Sequence, residues 1–202
     1  MGRREDKGDH VDQRAPGETL DIGLDISTSV TGISVLKRDG SLVALRALKL
    51  GPQYPTLWEK ADAAEEELKN LRIQLDALLG KDVAIGRIFV EENAKRFATG
   101  MTSADTILTL AKFNGIVCYI AQKMFRCPVI ETNVISARSR CGIKVKGKNQ
   151  KEQVLAYNLA AHPDWPWVTH VVKGEVIFNA CNKDLSDAYV IARGSQIIHA
   201  GS

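Results

Sequence analysis

Asp25, Glu91, Asp184 and Asp187 are the residues of this chain whose types and placement could do chemistry. They stand in three separated segments, TLDIGLDISTSVTGISVL, IGRIFVEEN and NKDLSDAYVIA, each where an apolar run ends or a helix begins. A carboxylate there gains nothing from packing, and burying one without a partner is costly. Gathered at one end of a sheet, the four would repel one another unless divalent cations lay between them. Hard oxygen donors suit Mg²⁺, with Mn²⁺ as a substitute, and two such ions can drive in-line phosphodiester hydrolysis. The expectation is a metal-dependent nuclease.

Each acid also has a plainer role to weigh. Asp25 could simply form a turn, yet Ser27-Thr28-Ser29 and Gly32 beside it leave room for a ligand or a backbone to come close. Side chains alternate across a strand, so only one of Glu91 and Glu92 can face Asp25. Glu91 directly follows the apolar run and is the expected one. Asp184 and Asp187, three apart, share a helix face, although acids in a first turn are also ordinary partners of the helix dipole.

The elements that must position these acids can be read from pattern. Residues 1–18 are polar, charged and aperiodic, a flexible arm, and 19–202 form one domain. LDIGLDI, TGISVLKR and LVALRALKL read as three antiparallel strands, with Asp39-Gly40 as a hairpin turn. Residues 56–79 read as a helix opened by a Thr56/Glu59 capping box and stopped by Gly80. Its stripe Leu57, Ala61, Ala64, Leu68, Leu71, Leu75 and Leu78 suits packing on a sheet. A strand from Val83 to Val90 leads into Glu91. A second helix, capped by Thr102 or Ser103, runs to about Phe125 and is apolar nearly all round, which implies burial on more than one side, with the sheet on one and another subunit on the other. A short strand at Pro128-Val129-Ile130 precedes helices near 133–140 and 149–161 and an irregular HPDWPW turn, whose aromatics are expected to pack. The last helix, 184–198, begins at Asp184. This order is that of a ribonuclease-H-like α/β fold: a mixed five-stranded sheet, three antiparallel strands then parallel ones, flanked by helices.

Composition narrows the class. At 202 residues, 45% hydrophobic, the chain can bury a substantial core. No run reads as apolar enough to cross a bilayer, and the N-terminus lacks a secretory core, so a cytoplasmic location without a membrane partner is expected. Cys118, Cys127, Cys141 and Cys181 show no C-x-x-C pairing and read as reduced thiols. The net charge of +3 matters less than its distribution. Arg138, Arg140, Lys144, Lys146, Lys148 and Lys151 follow one another with no acid between them. Such a stretch suits DNA phosphates; a solvated loop is the plainer alternative.

With GLDISTSVTGISVL around the first acid, IFVEEN at the second and DLSDAYVIA at the last pair, residues 20–198 resemble the RuvC family of Holliday-junction resolvases. The resemblance implies that Asp25, Glu91, Asp184 and Asp187 are catalytic and bind two Mg²⁺. One ion on Asp25 and Asp187 would activate water, and another on Asp25 and Glu91 would face the leaving 3′-oxygen. It further implies a homodimer nicking a four-way DNA junction symmetrically, with Phe97 as the nearest counterpart of the family's junction-opening aromatic. Asp25-Ile26-Ser27 stands where bacterial members have Asp-Pro-Gly, and Glu92-Asn93 where they have Gln and an aromatic. These departures point to a divergent, bacteriophage or organellar branch. Two other readings remain open: a nuclease of this fold acting on other branched DNA or RNA, and an actin or sugar-kinase type of nucleotide-binding protein, whose first phosphate loop also reads Asp-x-Gly/Ser-Thr-Ser.

Overall fold

The computed structural model describes residues 18–81, 83–92 and 104–200. Three strands open the chain, β1 (Thr19–Asp25), β2 (Val30–Lys37) and β3 (Leu42–Lys49), followed by helix α1 (Leu57–Leu79) and strand β4 (Ala84–Glu91). Then come α2 (Ala104–Phe125), β5 (Val129–Thr132), α3 (Val134–Arg140) and α4 (Gln150–Ala161). A small hairpin, β6 (Thr169–Val172) with β7 (Glu175–Phe178), precedes the last helix, α5 (Asn182–Ile198). The main sheet has the order β3-β2-β1-β4-β5, antiparallel through β3, β2 and β1 and parallel from β1 to β4 and β5. This is the expected ribonuclease-H-like arrangement, with β1 at its centre.

Alternation along β1 assigns its two faces. Leu20, Ile22 and Leu24 point into an apolar layer with Ile33 and Val35 of β2, and with Ala64, Leu68, Leu71 and Leu75 of α1. The α1 stripe therefore packs on the sheet as expected. Its start is fixed by the capping box, in which Thr56 accepts from the Glu59 N–H at 3.2 Å and the Glu59 carboxylate accepts from the Thr56 N–H at 2.8 Å. Asp21, Gly23 and Asp25 point to the opposite face, which α5 covers.

That second face is built for close approach. A methyl added at Gly23 would lie 2.2 Å from the carbonyl oxygen of Ala188, and one at Gly32 would lie 2.1 Å from that of Asp184. Ser34 donates to the Ala188 carbonyl at 2.9 Å. Bare or small residues on β1 and β2 thus let the α5 backbone rest on the sheet. The room beside Asp25 noted in the sequence is filled by this helix backbone.

Several expectations need correcting. Helix α2 is, by length and composition, apolar enough to cross a membrane. Within the fold it buries Phe113, Val117, Ala121 and Phe125 against the α1 layer. On the opposite side Leu108 and Tyr119 are exposed. The β6–β7 hairpin has no counterpart among the expected elements, and α5 begins at Asn182 rather than Asp184. The HPDWPW segment packs as expected, with Trp165 stacked on His162 and edge-on to Tyr189. The arm before Glu18, the α2 cap at Thr102 or Ser103, and Phe97 lie outside the described residues.

Candidate active site

Parallel pairing of β1 with β4, Gly23 beside Phe89 and Leu24 beside Val90, sets Asp25 and Glu91 at the same end of adjacent central strands. Both lie on the face covered by α5, whose first turns deliver Asp184 and Asp187. The helix is held there by the Gly32 contact and by Asn182, which donates to the Val168 carbonyl at 2.8 Å and accepts from the Val168 N–H at 2.9 Å. Behind Asp187, the buried Asn158 donates to Ser186 Oγ at 2.7 Å, tying α4 to α5.

The four acids therefore meet, and two bases from the basic stretch meet them. Lys151 Nζ donates to Asp25 Oδ2 at 2.7 Å and to Asp184 Oδ1 at 2.9 Å, and lies 3.6 Å from Asp187 Oδ2. Arg138 donates to both Asp187 oxygens, at 3.0 and 3.2 Å, and to Gln150 Oε1 at 3.1 Å. Sequence alone grouped both with the phosphate contacts. Arg138 is in fact buried with the acids, because α3 crosses α5 where Gly194 leaves room for Ala137. Lys151, on the first turn of α4, reaches in from the rim with 40% of its side chain exposed. Arg140, Lys144, Lys146 and Lys148 are exposed as expected.

Electrostatics follow from this packing. Burial raises the Asp25 carboxyl to about 7, against the pull of Lys151 and with help from Asp187 and Glu91. Burial and then Asp187 also raise Glu91, opposed by Lys151 and Arg138. Glu91 thus senses the charge of the cluster. Burial pulls Lys151 down, but Asp25 and Asp184 outweigh it and hold its ammonium charged beyond the ordinary lysine range.

Among the described residues, no group of His, Cys, Asp and Glu stands ready-made as a metal site. The carboxylates converge on the Lys151 ammonium instead. A cation of some kind is what this geometry requires, and carboxylate oxygens are the donors that Mg²⁺ or Mn²⁺ prefers. The residues fit such an ion.

Arg138 plays a different part from Lys151, as the partner of a carboxylate that is 1% exposed. Arg138→Ala leaves Asp187 buried without that partner, which costs roughly 3–5 kcal/mol. Urea denaturation at pH 7 should show the unfolding free energy falling by that amount; an unchanged unfolding curve would mean that the pair contributes nothing.

No protein-family model matches the chain, and no curated protein matches it. Among solved structures, RuvC from Thermus thermophilus in complex with Holliday junction substrate superposes with a TM-score of 0.58 at 16% identity, covering 91% of this chain and 96% of that one. Another Thermus thermophilus RuvC structure gives 0.56 at 17% identity, over 90% and 96%. At these identities the likeness establishes the fold.

Proposed function

We propose that the chain is a divergent RuvC-like endonuclease that resolves four-way DNA junctions by paired, symmetric nicks. The observation that carries this reading is the convergence of Asp25, Glu91, Asp184 and Asp187 from three elements onto one cation-demanding point. The fold shared with the junction-bound Thermus thermophilus protein supports it. Asp25, Glu91, Asp184 and Asp187 would hold two Mg²⁺, Mn²⁺ substituting. Bound there, such ions supply a nucleophilic water at neutral pH and offset charge on the attacking and leaving oxygens.

The chain's own residues do the remaining work. Asp25, on the rigid central strand, fixes the floor of the site. Arg138 holds Asp187 in a single orientation through two hydrogen bonds, and the α5 backbone pressed against Gly32 sets the distance of Asp184 from Asp25. Burial of the carboxylates keeps bulk water away from the reacting phosphate. Exposed Arg140, Lys144, Lys146 and Lys148 lie on the stretch of chain between Arg138 and Lys151 and would hold DNA phosphates.

Two related cuts need two sites related by a two-fold axis, so a homodimer belongs to the proposal. The exposed Leu108 and Tyr119, on the side of α2 turned away from the sheet, offer an apolar face for it. Light scattering that finds only monomer at micromolar concentration would argue against this part.

A labelled mobile four-way junction, incubated with and without Mg²⁺, tests the whole reading. The expected products are religatable nicked duplexes, formed only with the metal. Preferential cutting of single strands or RNA would instead assign the same site to another substrate. Neutralising Arg140, Lys144, Lys146 and Lys148 one at a time should flatten the salt dependence of junction binding by about one unit of slope each. An unchanged slope would remove them from the interface.

A further inference from the structure

Resting on the metal reading above, we propose that Lys151 is an internal stand-in for the divalent cation, occupying the acid cluster in the metal-free protein and being displaced when metal binds. One ammonium bonds Asp25 and Asp184 and lies 3.6 Å from Asp187, so it bridges carboxylates from β1 and α5 as a metal ion would. A surface lysine engaged in one ion pair gains about 1 kcal/mol or less and moves freely. This one answers a cluster that is otherwise uncompensated: Asp25 is 4% exposed and Asp187 1% exposed, and Arg138 serves only the latter by hydrogen bonds. Without metal, the site therefore needs Lys151 to stay assembled.

The ammonium and a divalent ion cannot share the same carboxylate oxygens. Two positive charges at hydrogen-bond distance from one oxygen repel each other, and the metal needs the lone pairs that the N–H groups occupy. The way out is open. Lys151 is 40% exposed, and it sits on the first turn of α4. That helix begins at Asn149, in a left-handed conformation with φ 59° and no side-chain cap bond. The lysine can swing towards solvent without moving α5. Arg138, buried and paired to one carboxylate from behind, has no such route and stays.

Displacement makes metal binding a competition, and removal of the competitor should tighten it. Mn²⁺ binding to metal-free full-length protein, followed by electron paramagnetic resonance at about pH 8.5 so that protons do not refill the vacated place, should be about tenfold tighter or more in Lys151→Met than in wild type. Lys151→Arg, which retains the charge, should stay near the wild-type value. Equal or weaker Mn²⁺ binding by Lys151→Met would overturn the displacement while leaving the metal reading intact. Absence of Mn²⁺ binding in both proteins would overturn the two together.

The unmodified chain offers a second readout that does not depend on the variant folding. Brief acetylation with acetic anhydride, mapped by mass spectrometry, should label Lys151 several-fold faster once Mg²⁺ saturates the site. Lys144, Lys146 and Lys148 should react at the same rate with and without the ion. A Lys151 that is no more reactive with saturating Mg²⁺ has not moved, and the proposal then fails.

Discussion

Asp25→Asn is expected to abolish junction cleavage, by about 10³-fold or more, while making the metal-free protein more stable than wild type. The two effects have one source. Asp25 sits at the meeting point of β1, β4 and α5 and would contact both ions, so the change removes a charge common to them and replaces one carboxylate oxygen by an NH2 group that binds no cation. Junction binding should persist or strengthen, because one negative charge beside the phosphate has gone.

The stability effect has a definite sign. In the unfolded chain an aspartate titrates near pH 4, whereas burial raises Asp25 in the folded protein to about 7. Between those values the folded state keeps a proton that the unfolded state gives up. Stability from this group is therefore full at low pH, falls as pH rises from about 4 to 7, and is then level. Over about three pH units, at 1.36 kcal/mol each, the loss amounts to roughly 4 kcal/mol. Thermal melts in EDTA should show wild type losing stability between pH 5 and pH 8, and Asp25→Asn losing much less. Mg²⁺ should reverse the trend, since binding expels the proton and gains most where it is already absent. Full cleavage activity in Asp25→Asn would end the catalytic assignment; parallel pH profiles of the two proteins would end the electrostatic one.

Which parts of this site were legible in the sequence depends on how local the signal is. Asp39-Gly40, the Thr56/Glu59 box and Gly80 act within a few residues, and each formed as expected. The acids were legible because a carboxylate at the end of an apolar strand conflicts with its surroundings, whatever the rest of the chain does. Arg138 and Lys151 gave no such conflict. Spacing along a basic stretch does not tell which residue of a short helix turns towards α5; that is decided by the Gly194–Ala137 crossing and the Asn158–Ser186 bond. The β6–β7 hairpin did carry a signal, Lys173-Gly174 between two apolar pairs. Both of those residues have positive φ, as a two-residue hairpin turn requires. The adjoining HPDWPW turn masked it by suggesting irregular chain throughout. Helix α2 was legible on the side that packs against α1, where Phe113, Val117 and Ala121 are buried; its apolar residues on the opposite side carried no signal for what covers them.

Gly32 joins fold and site most directly, and Gly32→Ala is the second substitution with a large expected effect. Gly32 is the antiparallel partner of Asp25. A methyl there would sit 2.1 Å from the Asp184 carbonyl oxygen, 2.5 Å from its carbonyl carbon and 3.0 Å from the Leu185 nitrogen. All three are backbone atoms, so no side chain can turn away, and the first turn of α5 must lift. Overpacking of this kind costs roughly 1–3 kcal/mol or more. The site suffers more than the fold, because the same turn carries Asp184 and leads to Asp187. A displacement near 1 Å at a reacting centre costs about 10²-fold in rate, so cleavage should fall at least that far even at temperatures where the variant is fully folded. Gly115→Ala is the control: a methyl there meets nothing within 4 Å on exposed α2. It should stabilise the helix by about 0.5–1 kcal/mol, the opposite sign to Gly32→Ala. Wild-type cleavage in folded Gly32→Ala would show that the spacing between Asp25 and Asp184 does not limit the reaction.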